Sequence, residues 1–182
     1  MFRSIFALLL TFAFCLPVAA ERPASLEESS FWAQEVSNGN LPPVEERLPQ
    51  DALVVNLTEK GRTYGTQGGT LRTLVSRSKD VRQMVVYGYA RLVGYDEDYE
   101  LYPDILRDIE VEEGRKFTLH LRRGHKWSDG HPFTSADFEY YWKYVAQNDE
   151  LSPAGPPRNL FVDDVLAEMR FPDEYTVVIE WP

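Results

Sequence analysis

Cysteine is nearly absent: Cys15 stands alone, so no disulfide can staple this chain. Positive charge is scarce too. Nineteen Lys and Arg face 29 Asp and Glu, for a net charge of −10, and no basic run occurs. That balance argues against an electrostatic grip on nucleic acid or on anionic lipid. Long apolar runs are missing; the longest, Ile5 to Leu16, is too short for a comfortable membrane span. The sequence also has no G-x-S-x-G nucleophile elbow, no phosphate-binding glycine loop and no Cys/His pair. Paired carboxylates serve glycosidases, but with so many acids a pair is found anywhere, and abundance identifies nothing.

Metal-binding patterns fail on spacing. His120, His125 and His131 lie five and six residues apart across a strand, a loop and a corner, where ligands on one helix prefer i, i+4. Asp96, Asp98 and Glu100 alternate like the start of a calcium loop. No glycine follows them, and Arg107 stands where the twelfth-position Glu belongs. The run reads as a solvated turn, and neither metal nor cofactor is expected.

What is present begins with a targeting segment. Arg3, the apolar run and Val18-Ala19-Ala20 form a signal peptide over residues 1–20, with cleavage after Ala20. Phe14 and Leu16 flank Cys15 and argue against lipid attachment there. Residues 21–67 read as a Pro-rich arm. Ser25 and Glu28 predict a capping box for a short helix through Trp32 and Val36, and Ala52 to Leu57 a short strand. Trp32 and Val54-Val55 favour packing of the arm on the main domain. Gly68-Gly69 precede an alternating strand over Thr70 to Val75, and Asp80 caps a predicted helix from Val81 to about Leu92. Ile109–Val111 and Lys116–Leu121 predict a hairpin about Gly114. Asn159 to Leu166 reads as a short helix, and Val165–Phe171 with Tyr175–Trp181 as a second hairpin.

The stretch from Phe117 to Tyr144, FTLHLRRGHKWSDGHPFTSADFEYYWKY, organises the rest. Phe117, Leu119 and Leu121 alternate with polar residues as in a half-buried strand. Ser128-Asp129-Gly130 supplies a reversal. Thr134 and Asp137 have capping-box spacing, with Phe133 and Phe138 as its hydrophobic staple. Phe138, Tyr141, Trp142 and Val145 then share one buried helical face. Trp127, Ser128, Asp129, Gly130, Pro132, Thr134 and Asp137 thus read as a structural corner that sets a helix on a sheet, with no catalytic role.

HLRRGHKWSDGHPFTSADF resembles the signature of the large periplasmic solute-binding proteins of ABC importers, family 5, which includes oligopeptide-, dipeptide- and nickel-binding proteins. Only Ser135 departs from the usual Ala, and at N1 it is neutral. GGTLR at residues 68–72 and the passage around Ile105-Leu106 extend the likeness over residues 68–182. The resemblance implies an α+β, mixed α/β fold: part of lobe I of a two-lobed binding protein of class II type, with a mixed sheet and flanking helices. Residues 68–182 are then an incomplete first lobe, and the chain an N-terminal fragment. It implies a non-enzymatic, periplasmic, monomeric protein that binds a small solute, peptide foremost, and delivers it to an inner-membrane permease. Ser76, Arg77, Tyr87 and Tyr89 are the candidate lobe-one contacts that the resemblance suggests. The competing readings are a secreted carbohydrate-active enzyme and an acidic interaction module.

Overall fold

The computed structural model describes residues 26–58, 61–66, 68–84 and 88–182. Its centre is a four-stranded sheet in the order β3-β4-β8-β7, with β3 Leu106–Glu112, β4 Lys116–Leu121, β7 Glu168–Asp173 and β8 Thr176–Glu180. Every ladder among the described residues is antiparallel, so no parallel pair of a mixed sheet lies within them. β3 and β4 join through Glu113 (φ 53°) and Gly114 (φ 68°), and the Arg115 amide donates to the Glu112 carbonyl at 3.1 Å. Two successive positive φ values give the primed turn whose twist matches that of paired strands.

Cross-strand register puts Ile109, Leu119 and Val177 side by side. Leu106, Leu119, Leu121 and Val177 form the buried core there, with Phe133 and Phe138 packed against it. A second cluster of Trp142, Ala146 and Leu160 carries the core towards Met169 and Ile179. The opposite sheet face is mostly polar, with His120 bonded to Glu110 across the strands at 3.0 Å.

Helices are short. α1 spans Ala33–Ser37 and α2 Val44–Arg47. α3, Ser135–Tyr140, runs on into a π-helical turn over Tyr141–Ala146. Of the face predicted to be buried, Trp142 is buried and Phe138 and Val145 are partly so. Tyr141 is exposed, and Ala146 takes an inner position in its place. The π turn explains the change, because its wider i→i+5 repeat rotates the residues after Tyr140 off the 3.6-residue register.

Several elements differ from the sequence expectations. Residues 26–29 are non-helical, and Ser25 lies outside the described residues, so α1 starts later than its predicted cap. Residues 52–57 and 70–75 carry no ladder. Of the helix expected from Val81 to about Leu92, residues 81–84 belong to a 3₁₀ segment, Ser78–Met84, residues 85–87 lie outside the described residues, Gly88 is helical, and residues 89–92 are not. The predicted helix over 159–166 is a 3₁₀ turn, Arg158–Leu160, followed by a small hairpin of β5, Phe161–Val162, and β6, Val165–Leu166. Asp163 and Asp164 both adopt positive φ (48° and 61°), making another primed turn where a helix would need negative angles. β1, Val93–Tyr95, and β2, Leu101–Pro103, form a further hairpin. Its loop is closed by the Asp96 carboxylate, which accepts from the Asp98 and Glu100 amides at 2.9 Å each.

Candidate functional site

The corner after β4 is held by reciprocal bonds between turn and helix. The Gly130 amide donates to the Trp127 carbonyl at 2.9 Å, closing a turn with Ser128 and Asp129 at its centre. The Asp129 carboxylate accepts from the His131 amide at 2.9 Å, and Lys126 bridges to Pro132. Asp137 uses both oxygens: one accepts from the Thr134 amide at 2.8 Å, the other from the Trp127 indole at 3.1 Å. The Thr134 hydroxyl accepts from the Ala136 amide at 3.3 Å, and the Thr134 side chain also takes the Asp137 backbone amide, which makes the capping box reciprocal. Phe133 packs edge-on between Trp127 and Phe138, at centroid distances of 5.2 and 5.6 Å.

Ser135 is not neutral. Its hydroxyl donates to the Asp173 carbonyl at 2.7 Å and its amide to the Glu174 carbonyl at 2.9 Å. The buried Ser135 therefore ties the start of α3 to the β7–β8 turn, a bond that the usual Ala could not supply.

The arm meets this corner from the other side. The Asp51 amide donates to the Arg123 carbonyl at 3.0 Å, and the Lys126 ammonium donates to the Glu46 carbonyl at 3.2 Å. Arg122, 9% exposed, donates to the Asp104 carbonyl at 2.8 Å and pairs with the Asp51 carboxylate at 3.4 Å. Gly124 has φ 87°, and a Cβ there would lie 2.5 Å from the Gln50 amide nitrogen. Turn chemistry alone suggests a glycine at 124; the crossing arm is a second reason for it.

Two of the four candidate solute contacts come together. The Ser76 hydroxyl and the Arg77 amide both donate to one oxygen of Asp80, at 2.8 and 3.0 Å. Asp80 thus knots the loop before the 3₁₀ segment, where a helix cap was expected. The Arg77 side chain is exposed, with no ion-pair partner among the described residues. Tyr89 is 73% exposed and bonds to neither Ser76 nor Arg77. Tyr87 lies outside the described residues.

A polar cleft of about 470 Å³ opens beside the β7–β8 turn, away from the four candidate contacts. Arg107, His120, Arg123, Asp173, Glu174 and Tyr175 line it. The Arg123 guanidinium lies 5.1 Å from the Tyr175 ring centroid, within cation–π range. The Tyr175 amide, then the Thr176 side chain, hold the Asp173 carboxyl below the usual carboxylate range. With two guanidiniums against two carboxylates the formal charges balance, so the cleft has no strong preference for either sign. These residues sit on separate strands and a turn, and only the sheet register brings them together; the sequence holds no local signal for it.

The comparisons with known proteins bear on what this arrangement serves. A family model described as bacterial extracellular solute-binding proteins, family 5 middle, matches residues 100–182. The periplasmic alpha-galactoside-binding protein of Rhizobium meliloti is 28% identical, over 82% of this chain and 24% of its own length. The periplasmic oligopeptide-binding protein OppA of Salmonella typhimurium is 39% identical over 28% of this chain and 9% of its own. Among solved structures, an oligopeptide-binding protein OppA superposes with a TM-score of 0.72 at 32% identity, covering 87% of this chain and 24% of that one. MelB of Agrobacterium fabrum C58, a periplasmic binding protein in complex with stachyose, gives 0.68 at 25% identity, covering 88% and 27%. The chain spans about a quarter of the length of these wide-coverage relatives. Over residues 100–182 in sequence, and over most of its length in fold, this chain is similar to the family 5 bacterial extracellular solute-binding proteins.

Proposed function

We propose that this chain supplies first-lobe structure to a periplasmic solute-binding component of an ABC importer. The observation that carries the reading is the superposition of 87% of the chain on an oligopeptide-binding protein. The named relatives are binding proteins and periplasmic, which supports a non-enzymatic role and an exported location; in this reading residues 1–20 are the leader, cleaved after Ala20. In such proteins ligand makes different contacts with open and closed forms and so shifts the population towards closure. The loaded monomer then docks on a membrane permease.

Peptide is the first ligand class in this reading. Arg77 would pair with a solute carboxylate, its planar fork suited to two parallel bonds; Ser76 would donate a hydrogen bond beside it. Tyr87 and Tyr89 would stack or donate from their hydroxyls. A second reading has a specific observation in its favour: the curated relative matched over 82% of the chain is an alpha-galactoside binder, and MelB was solved with stachyose. Under that reading the tyrosines stack on sugar faces and Arg77 bonds hydroxyls.

A thermal-shift screen of the purified protein against short peptides and stachyose, with a turnover assay alongside, separates these readings. The binding reading expects a rise in Tm without turnover. Arg77→Ala should then weaken peptide binding by about tenfold or more, the scale of a charged hydrogen bond. Turnover of either substrate class overturns the binding role. A shift with stachyose alone selects the sugar reading, and unchanged affinity in Arg77→Ala removes that residue from the site.

A further inference from the structure

We propose that residues 46–51 form a clasp on the corner after β4, and that His125 beneath it makes the clasp release in acid. The clasp is small and specific. It comprises the Asp51 amide on the Arg123 carbonyl, the Glu46 carbonyl on Lys126, the Asp51 carboxylate near Arg122, and Gln50 against Gly124. None of these contacts buries a large apolar side chain, so a modest electrostatic change can tip it.

His125 supplies that change. Its Nε2 is buried and has no hydrogen-bond partner, while its carbonyl accepts from the Phe133 amide at 2.9 Å and fixes the loop. The charged groups facing the ring are Arg122 from the end of β4, Asp104 from the link between β2 and β3, and Asp51 from the clasp. Lys126, from the same loop, reaches away to Glu46. Both acids are already engaged: Asp51 with Arg122 at 3.4 Å, and Asp104 with the Arg91 amide at 3.0 Å. A proton on Nε2 would therefore create a buried donor without an acceptor and a second cation beside a nearly buried arginine. Burial first, then Arg122, hold the imidazole below its ordinary value of 6.5, against the smaller opposite pull of Asp104 and Asp51. Residues 46–51 bear on both chain neighbours of His125, with Gln50 against Gly124 and the Glu46 carbonyl on Lys126, so in this proposal lifting them opens the ring to water, where it protonates normally.

The direction follows from linkage. The docked form has the lower affinity for the proton, so its advantage is complete above about pH 6.5. It then falls by up to about tenfold per pH unit until the docked ring itself titrates. Above neutrality the clasp is indifferent to pH through this group.

Hydrogen exchange of the Asp51 amide in the full chain tests this, at pH 7.5 and 5.0 with correction for intrinsic rates. Wild type should lose protection at pH 5.0 by up to about tenfold per unit below 6.5. His125→Gln should keep protection nearly constant, and Asp51→Asn should retain the pH dependence. A flat wild type, an equal loss in His125→Gln, or a dependence abolished by Asp51→Asn would each overturn the proposal. If His125→Gln fails to melt cooperatively, an NMR titration of the wild-type ring decides. A ring that titrates at its ordinary value while Asp51 stays protected overturns the clasp, and coincident loss of protection and ring titration supports it.

Discussion

Residues 106–181 and residues 61–90 carry similarly apolar sequences and meet opposite fates. In the first region Leu106 is 0% and Val177 1% exposed, every strand has a neighbour, and turn, cap and sheet bond to one another. In the second, Leu71 is 78% and Leu74 100% exposed, and no ladder includes the described residues. Thr70 to Val75 alternates in part, with Leu71 and Val75 on one face and Leu74 on the other, where Phe117 to Leu121 alternates strictly. A period of two describes a strand that could be buried on one face. Whether it is buried depends on a partner strand that the pattern does not encode. β4 has two such partners, β3 and β8; residues 70–75 have none among the described residues.

The contrast can be attacked first where burial is greatest. Leu106→Ala removes a side chain with no exposure from the main cluster and leaves a cavity in a packed sheet. It should cost about 2–5 kcal/mol in denaturant unfolding. A loss below about 1 kcal/mol would mean that the 106–181 core is far looser than its burial implies.

Gly124→Ala comes next and probes the seam between arm and corner. A positive φ costs a residue with a Cβ about 1–2 kcal/mol, and the new methyl group meets the Gln50 backbone 2.5 Å away. The expected result is a lower midpoint together with faster proteolysis near residues 46–51. Lost stability with the arm still protected would mean that only the turn, and not the crossing segment, needs glycine. Thr134→Ala should cost about 1 kcal/mol, the typical value of an N-cap, read as a drop in midpoint at constant m.

Those three positions also mark how far the sequence could be read. The Thr134–Asp137 box, the Phe133–Phe138 staple and the β3–β4 turn were legible because each is a local pattern a few residues long. The β5–β6 turn was not, since two aspartates at positive φ lack the glycine that usually announces a primed turn. The π turn hid because its residues are ordinary helix formers. Ser135 reads as neutral in the sequence because its partner, the Asp173 carbonyl, lies 38 residues away. Among the candidate contacts, Ser76 and Arg77 could be named only from the resemblance. Their shared bond to Asp80 could not be foreseen, because Asp80 also fits a helix cap. The cleft beside Tyr175 depends on register between separate strands, which composition does not carry.

The smallest expected effect is the most direct challenge to the contrast. Leu74→Ser swaps an apolar for a polar side chain at full exposure, where no packing is lost and no cavity opens. Surface changes of this kind stay within about 0.5 kcal/mol, and lower exposed apolar area should if anything raise solubility. The check is equilibrium unfolding of wild type and variant under one set of conditions, with light scattering on the same samples. A loss above about 1.5 kcal/mol, in the range for burying a leucine, would mean that residues 70–75 pack against a partner in solution. The two regions would then differ only in which neighbours the described residues include. An unchanged midpoint with less scattering keeps them distinct, the one stabilised by its ladder and the other carrying an alternating pattern still free to pair.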